Sequence, residues 1–146
     1  MAENNIANIM RDYVKAMAEG DVEKTLSFCT EDVVSINSFG TYKGKEEVRR
    51  SLIALSQQMK DMRVTESGNG IVVEGDKSFF EHVISGTFQG RRFEGLAMCA
   101  YEFSGDKIKE VRMVWDRLLL AQQVVTGFPA KPLINFIVKQ MEKGMR

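Results

Sequence analysis

Glycines punctuate the chain beyond Asp61 at short intervals, and the segments between them are rich in Val, Ile, Phe and Tyr. Turn-forming residues cluster at Glu74-Gly75-Asp76, Gln89-Gly90-Arg91 and Ser104-Gly105-Asp106. Short turns between long β-branched and aromatic runs predict an antiparallel meander, with strands over residues 62–74, 77–89, 92–104 and 107–118. The sequence ahead of it has another period. Ile6, Ile9, Met10, Tyr13, Val14 and Met17 fall three and four apart, the stripe of an amphipathic helix, and Gly20 ends it. Asp21 is placed to cap a short second helix, and a β-branched strand follows over 31–37. Residues 38–44 read as loop, and a third helix over 45–59 carries Val48, Leu52, Leu55 and Met59 on one face. Helices first and strands afterwards predict an α+β fold, not βαβ units.

Composition narrows the partners. Twenty Lys and Arg stand against twenty Asp and Glu, so the chain lacks the cationic surplus on which nucleic-acid binding rests. No apolar run approaches the roughly 20 residues needed to span a bilayer, and no basic segment followed by an apolar one opens the chain. We therefore expect a cytoplasmic domain. Cys29 and Cys99 lie among apolar neighbours and read as buried thiols, and one histidine with no paired cysteines offers no metal site. Gly127-Phe128-Pro129 marks a break between a domain over 1–126 and an extension over 127–146. Pro132 can open a helix there, with Leu133, Ile134, Phe136, Ile137, Val138 and Met141 on a wide apolar face. Lys131, Lys139, Lys143 and Arg146 make it basic. Docking on the domain or on a second subunit is the expected role, ahead of lying on a membrane surface.

Three helices followed by a curved meander wrap a sheet around the first helix and leave a pocket between them. Tyr13-Val14-Lys15-Ala16-Met17-Ala18-Glu19-Gly20-Asp21, then Leu26-Ser27-Phe28 and Glu31-Asp32-Val33-Val34, resembles the opening of the nuclear transport factor 2-like superfamily. Tyr42-Lys43-Gly44-Lys45-Glu46-Glu47-Val48 resembles its loop into the third helix, and Gly105 to Val111 its last hairpin. Trp115-Asp116 with Leu120 and Gln123 is similar to the ending of its SnoaL-like members. The resemblance covers residues 6–126 and implies a cone-shaped barrel: three N-terminal helices packed in a highly curved antiparallel sheet, plus the C-terminal helix. It also implies a homodimer through the outer sheet face.

Candidate chemistry centres on Asp116. Alternation puts Arg112, Val114 and Asp116 on one face at the end of an apolar strand, where a carboxylate needs a partner, and Arg112 is the candidate. SnoaL-like cyclases and epoxide hydrolases place an acid at the matching position, so the resemblance makes Asp116 a catalytic acid/base; the alternative is a structural ion pair. His82 lies mid-strand on the face of Phe80, Ile84 and Phe88, and facing Asp116 it would complete an acid–base pair. A satisfied core histidine is the alternative. Tyr13 matches the oxyanion-hole tyrosine of ketosteroid isomerases, with a pocket-lining or core tyrosine as the alternative. However, the proton-carrying aspartate of those enzymes matches Asn37 and their second donor matches Cys99, so their own mechanism is not expected here. Phe39, Phe80, Phe88, Met98, Tyr101 and Trp115 would line the pocket, with Asn37, Cys99 and Arg112 among the groups meeting substrate.

The expected activity is cofactor-independent acid/base chemistry of the cyclase, isomerase, dehydratase or epoxide-hydrolase type on a small hydrophobic molecule. The competing expectation is a non-catalytic module of the same fold that binds a hydrophobic ligand or dimerises.

Overall fold

The computed structural model describes residues 2–145, so Arg146 of the basic tail lies outside the described residues. Eleven elements follow in order. They are α1 (Ala2–Glu19), α2 (Val22–Ser27), β1 (Cys29–Asn37), β2 (Gly40–Lys43), α3 (Gly44–Gln58) and β3 (Met59–Glu74), then β4 (Lys77–Phe88), β5 (Arg91–Ser104), β6 (Lys107–Trp115), α4 (Arg117–Val124) and α5 (Ala130–Glu142).

The helical period of α1 buries Ile6, Met10, Tyr13, Val14 and Ala16. Gly20 stops it in the left-handed region at φ +75°. Its N–H reaches the Met17 carbonyl at 3.1 Å and that of Asp21 reaches the Ala16 carbonyl at 3.0 Å, the paired bonds of a Schellman stop. Asp21 at once caps α2 by accepting from Lys24 N at 3.0 Å. Two residues thus end one helix and start the next, and α2 folds back against α1.

The six strands form one curled sheet in the order β2-β1-β6-β5-β4-β3. All three meander turns fall where the glycines place them, and β3 to β6 pair antiparallel in sequence order. The edges β2 and β3 do not meet, so the sheet is an open cone and not a closed barrel. Two departures from expectation concern pairing. Residues 40–43 of the expected loop form β2 against β1, and β1 runs parallel to β6.

Inward positions alternate along the strands. Ser78, Phe80, His82 and Ile84 of β4 are buried, as are Phe93, Ala97, Cys99, Tyr101 and Phe103 of β5. They build two clusters. One surrounds α1 and contains Tyr13, Phe80, Cys99 and Tyr101. The other contains Met59, Ile84, Phe93, Ala97, Trp115 and Val124.

The chain after β6 corrects the sequence reading most. The expected strand to residue 118 ends at Trp115, paired with Ala97, and α4 begins two residues later. Beyond that point residues 91–96 of β5 have no β6 neighbour, and α4 takes its place. The Gln123 side-chain amide accepts from Glu94 N and donates to the Glu94 carbonyl, both at 2.8 Å, as a paired strand residue would. No described helix is long and apolar enough to cross a membrane.

Candidate functional site

Asp116 is exposed, and its Oδ1 accepts from Leu118 N and Leu119 N at 2.9 Å each. It is the N-cap of α4, not a buried strand-end carboxylate. The expected partner is corrected with it. Arg112 lies on the outer face and pairs with Glu102 at 2.9 Å and Glu110 at 2.6 Å. Met98, expected in the pocket, also points outward and is exposed, because inward positions of β5 fall on odd numbers. The spacing of Asp116, Leu120 and Gln123 therefore has a structural meaning: one caps α4, one packs on the second cluster, and one clips α4 to β5.

His82 is 2% exposed, its ring stacked on Phe80 with centroids 4.4 Å apart. Its Nδ1 lies 3.4 Å from the Phe80 carbonyl oxygen, which can accept from it in the tautomer that carries the proton there. Burial pushes its pKa below the ordinary histidine value, and the Phe80 carbonyl opposes that shift. Asp116 does not face it. His82, Ala97 and Trp115 form one cross-strand row on the inner face, about 10 Å from end to end at two strand spacings, and Asp116 lies one residue beyond Trp115. The expected acid–base pair is not brought together.

The other candidates divide by depth. Tyr13 packs edge-on against Tyr101 at 6.0 Å, and burial raises both phenols well above the ordinary tyrosine range, with Cys29 and Cys99 adding to the effect. Burial also lifts the Cys99 thiol to about 12 and the Cys29 thiol to about 11. Asn37 turns the β1–β2 hairpin by accepting from Phe39 N at 2.8 Å. Phe39 is half-exposed there, edge-on to Trp115 at 5.9 Å and under the Arg117 guanidinium at 5.1 Å. Phe88 packs half-buried on the second cluster. The Trp115 indole N–H is buried with no hydrogen-bond partner, a donor whose isolation costs about 1–3 kcal/mol. Among the described residues, no group of three His, Cys, Asp or Glu side chains is placed to hold a metal ion.

An open groove of about 480 Å³ lies elsewhere, between α1 and β3. Val14 and Ala18 of α1, Met62 and Val64 of β3, and Phe80 of β4 supply its apolar surface. Arg11, Lys15 and Glu19 border it on one side, Arg63 and Glu66 on the other. Arg11 Nε bridges the groove to Glu66 Oε1 at 2.7 Å. Both side chains are about half-exposed, so the pair adds at most about 1 kcal/mol and is readily opened. The volume falls in the roughly 300–1,000 Å³ range of small-molecule sites. Of the expected lining residues, only Phe80 reaches this groove, and His82 stacks directly on it. The missed signal was the ridge Arg11, Lys15, Glu19, spaced four apart beside the apolar stripe of α1.

A sequence model of the SnoaL-like domain matches residues 10–111. The chain belongs to the SnoaL-like family. No curated protein matches this SnoaL-like chain. Solved structures share the fold at low identity. One is a Catenulispora acidiphila protein of ketosteroid isomerase-like fold in complex with trimethylamine, 17% identical with a TM-score of 0.74, covering 84% of this chain and 94% of that one. The candidate polyketide cyclase of Xanthomonas campestris is 18% identical with a TM-score of 0.71, covering 86% and 100%. An epoxide hydrolase of M. tuberculosis, similar to limonene-epoxide hydrolase, is 14% identical with a TM-score of 0.71, covering 95% and 99%. These likenesses establish the nuclear transport factor 2-like cone for this SnoaL-like domain, and at such identity they establish the fold alone.

Proposed function

We propose that this SnoaL-like domain binds a small amphipathic molecule in the groove between α1 and β3. The observation that carries the reading is the groove itself, an apolar surface from Val14, Ala18, Val64 and Phe80 set inside a charged border. The ligand's apolar body packs on those side chains, and its polar end meets Arg11 or Lys15. Ala18→Trp tests this, because a bulky ring on the α1 wall fills the groove from a partly exposed position. Calorimetric titration with a panel of medium-chain carboxylates and cyclic ketones should give binding to the natural protein and none to the variant at unchanged circular dichroism. Equal binding by both proteins would refute the site.

A second reading is the cofactor-independent enzyme, of the cyclase, isomerase, dehydratase or epoxide-hydrolase type. It is favoured by the inner-face row His82–Ala97–Trp115, where a proton carrier and an unpaired indole N–H flank a small side chain. Phe80, the ring on which His82 stacks, also lines the groove. His82→Ala separates the readings: an enzyme keeps ligand affinity and loses turnover, whereas a binding module has no turnover to lose.

The homodimer through the outer sheet face belongs to the same proposal. Val72, Phe79, Leu96, Met98 and Val114 are exposed on that face, and contiguous apolar patches are rarely left open to water.

A further inference from the structure

Helix α5 presents two apolar flanks. Ile134 and Val138 are half-buried, and the helix contacts α4. Leu133, Phe136, Ile137 and Met141 fall on another side and are exposed, with Phe136 at 58% and Met141 at 60%. Phe128, 90% exposed, precedes the helix. No side chain of α5 is fully buried. The fold of one chain thus leaves a four-residue apolar stripe in water.

The outer sheet face is the second uncovered surface. In register it reads as adjoining rows: Val72, Phe79 and Ala100; then Met98 and Val114; then Val83 and Leu96. Across these rows and the two flanking ones the same face carries five carboxylates, Glu74, Glu81, Glu94, Glu102 and Glu110. Against them stand Arg63, Lys77 and Arg112, which leaves the face two charges negative. The segment of α5 through residue 145 carries Lys131, Lys139 and Lys143 against Glu142, two charges positive. The surfaces match in both apolar character and charge.

Size decides how they are used. At 1.5 Å per residue α5 is about 20 Å long, and a stripe about 10 Å wide gives roughly 200 Å². Four strands about 4.8 Å apart and three rows about 7 Å apart give the sheet patch a similar footprint. A stable pair covers roughly 800 Å² per partner, so neither surface suffices alone. A two-fold pair in which each chain gives one helix and receives one doubles the contact to roughly 400 Å² per partner, the scale of a small, weak interface.

We propose that α5 is an arm that lays its Leu133–Phe136–Ile137–Met141 stripe along the outer sheet face of a second copy of this chain. The inference rests on the homodimer reading of that face and adds the element that completes it. A lipid surface would cover the helix stripe but would leave the acidic sheet patch open, so a second copy accounts for more.

The test uses the full chain. Sedimentation at micromolar concentration should show a dimer, and Ile137→Asp, a change at an exposed position, should weaken it about a hundredfold at unchanged circular dichroism. Chains carrying Phe136→Cys are then mixed with chains carrying Val114→Cys and treated with a short bismaleimide; Cys29 and Cys99 are buried and do not compete. A mixed cross-linked pair supports the arm. A dimer that resists Ile137→Asp and yields no mixed cross-link overturns the arm and leaves the sheet-face dimer standing. A monomer overturns both. A monomer that sediments with phosphatidylglycerol vesicles overturns both in favour of a membrane role for α5.

Discussion

Asp116→Ala should behave as the loss of a helix cap. The Asp116 carboxylate satisfies two N–H groups at the start of α4, each at 2.9 Å. Removing such a cap costs about 1 kcal/mol, within a range of 0.5–2, whereas asparagine retains an acceptor and costs a few tenths. In a chain of this size 1 kcal/mol lowers Tm by about 3 °C. The damage extends along α4 to the Gln123 amide, whose two bonds to the Glu94 backbone hold the helix on β5. Gln123→Ala alone should cost about 1–3 kcal/mol at about 0.5–1.5 per bond. Both substitutions release the same short helix, so the double variant should cost clearly less than their sum. Urea denaturation of the four proteins measures this, with constant slope as the check on two-state behaviour. The reasoning is refuted if Asp116→Ala is as stable as the natural protein, or if Asp116→Asn is as damaging as alanine. An Asp116→Asn variant that folds normally but loses a measurable turnover would restore the carboxylate as a catalytic group.

Protonation of His82 should couple to stability. Its folded pKa lies below the ordinary value near 6.5, so between the two the unfolded chain binds the extra proton; stability is full above about pH 6.5 and falls as pH drops through the folded value, by up to about 1.4 kcal/mol per pH unit. His82→Phe should remove that component from urea midpoints measured at pH 7, 6 and 5; an unaltered pH profile would contradict it. Cys29 and Cys99, with thiols raised to about 11 and 12, should resist a disulfide reagent at pH 8 until urea unfolds the chain, and rapid labelling of the native protein would show the burial to be wrong. Gly68→Ala should cost about 1–2 kcal/mol. Gly68 sits at φ +54°, and a Cβ there would lie 2.1 Å from the Glu81 carboxylate that holds Asn69, so a neutral result would mean this bulge is not formed.

The element boundaries that could be read from the chain were those with local causes. Gly20 and Asp21 stop and start helices through their own backbone and side-chain bonds, and the three glycine turns fix the β3–β6 meander before any tertiary contact is considered. What was hidden depended on pairing at a distance. Residues 40–43 are too short and polar to announce a strand, and become β2 because β1 supplies partners. The end of β6 was misplaced because Val114-Trp115 continues an apolar strand pattern. The competing signal was Asp116 followed by Arg117-Leu118-Leu119-Leu120-Ala121, a cap before strong helix formers. That three-residue error put Asp116 into a strand and supplied its presumed role. His82 was assigned correctly to the inner face, because alternation on β4 is unbroken. A pocket between the first helix and the sheet was expected, but its lining was misread because the walls come from α1 and β3, which meet only when the sheet curls.

The most direct test of the groove is a crystal structure of the protein grown with an amphipathic ligand that binds it in solution. The account predicts density between α1 and β3, against Val14, Ala18 and Phe80, with the polar end at Arg11 and Lys15. Density inside the cone between His82 and Trp115, with that groove empty, would contradict it.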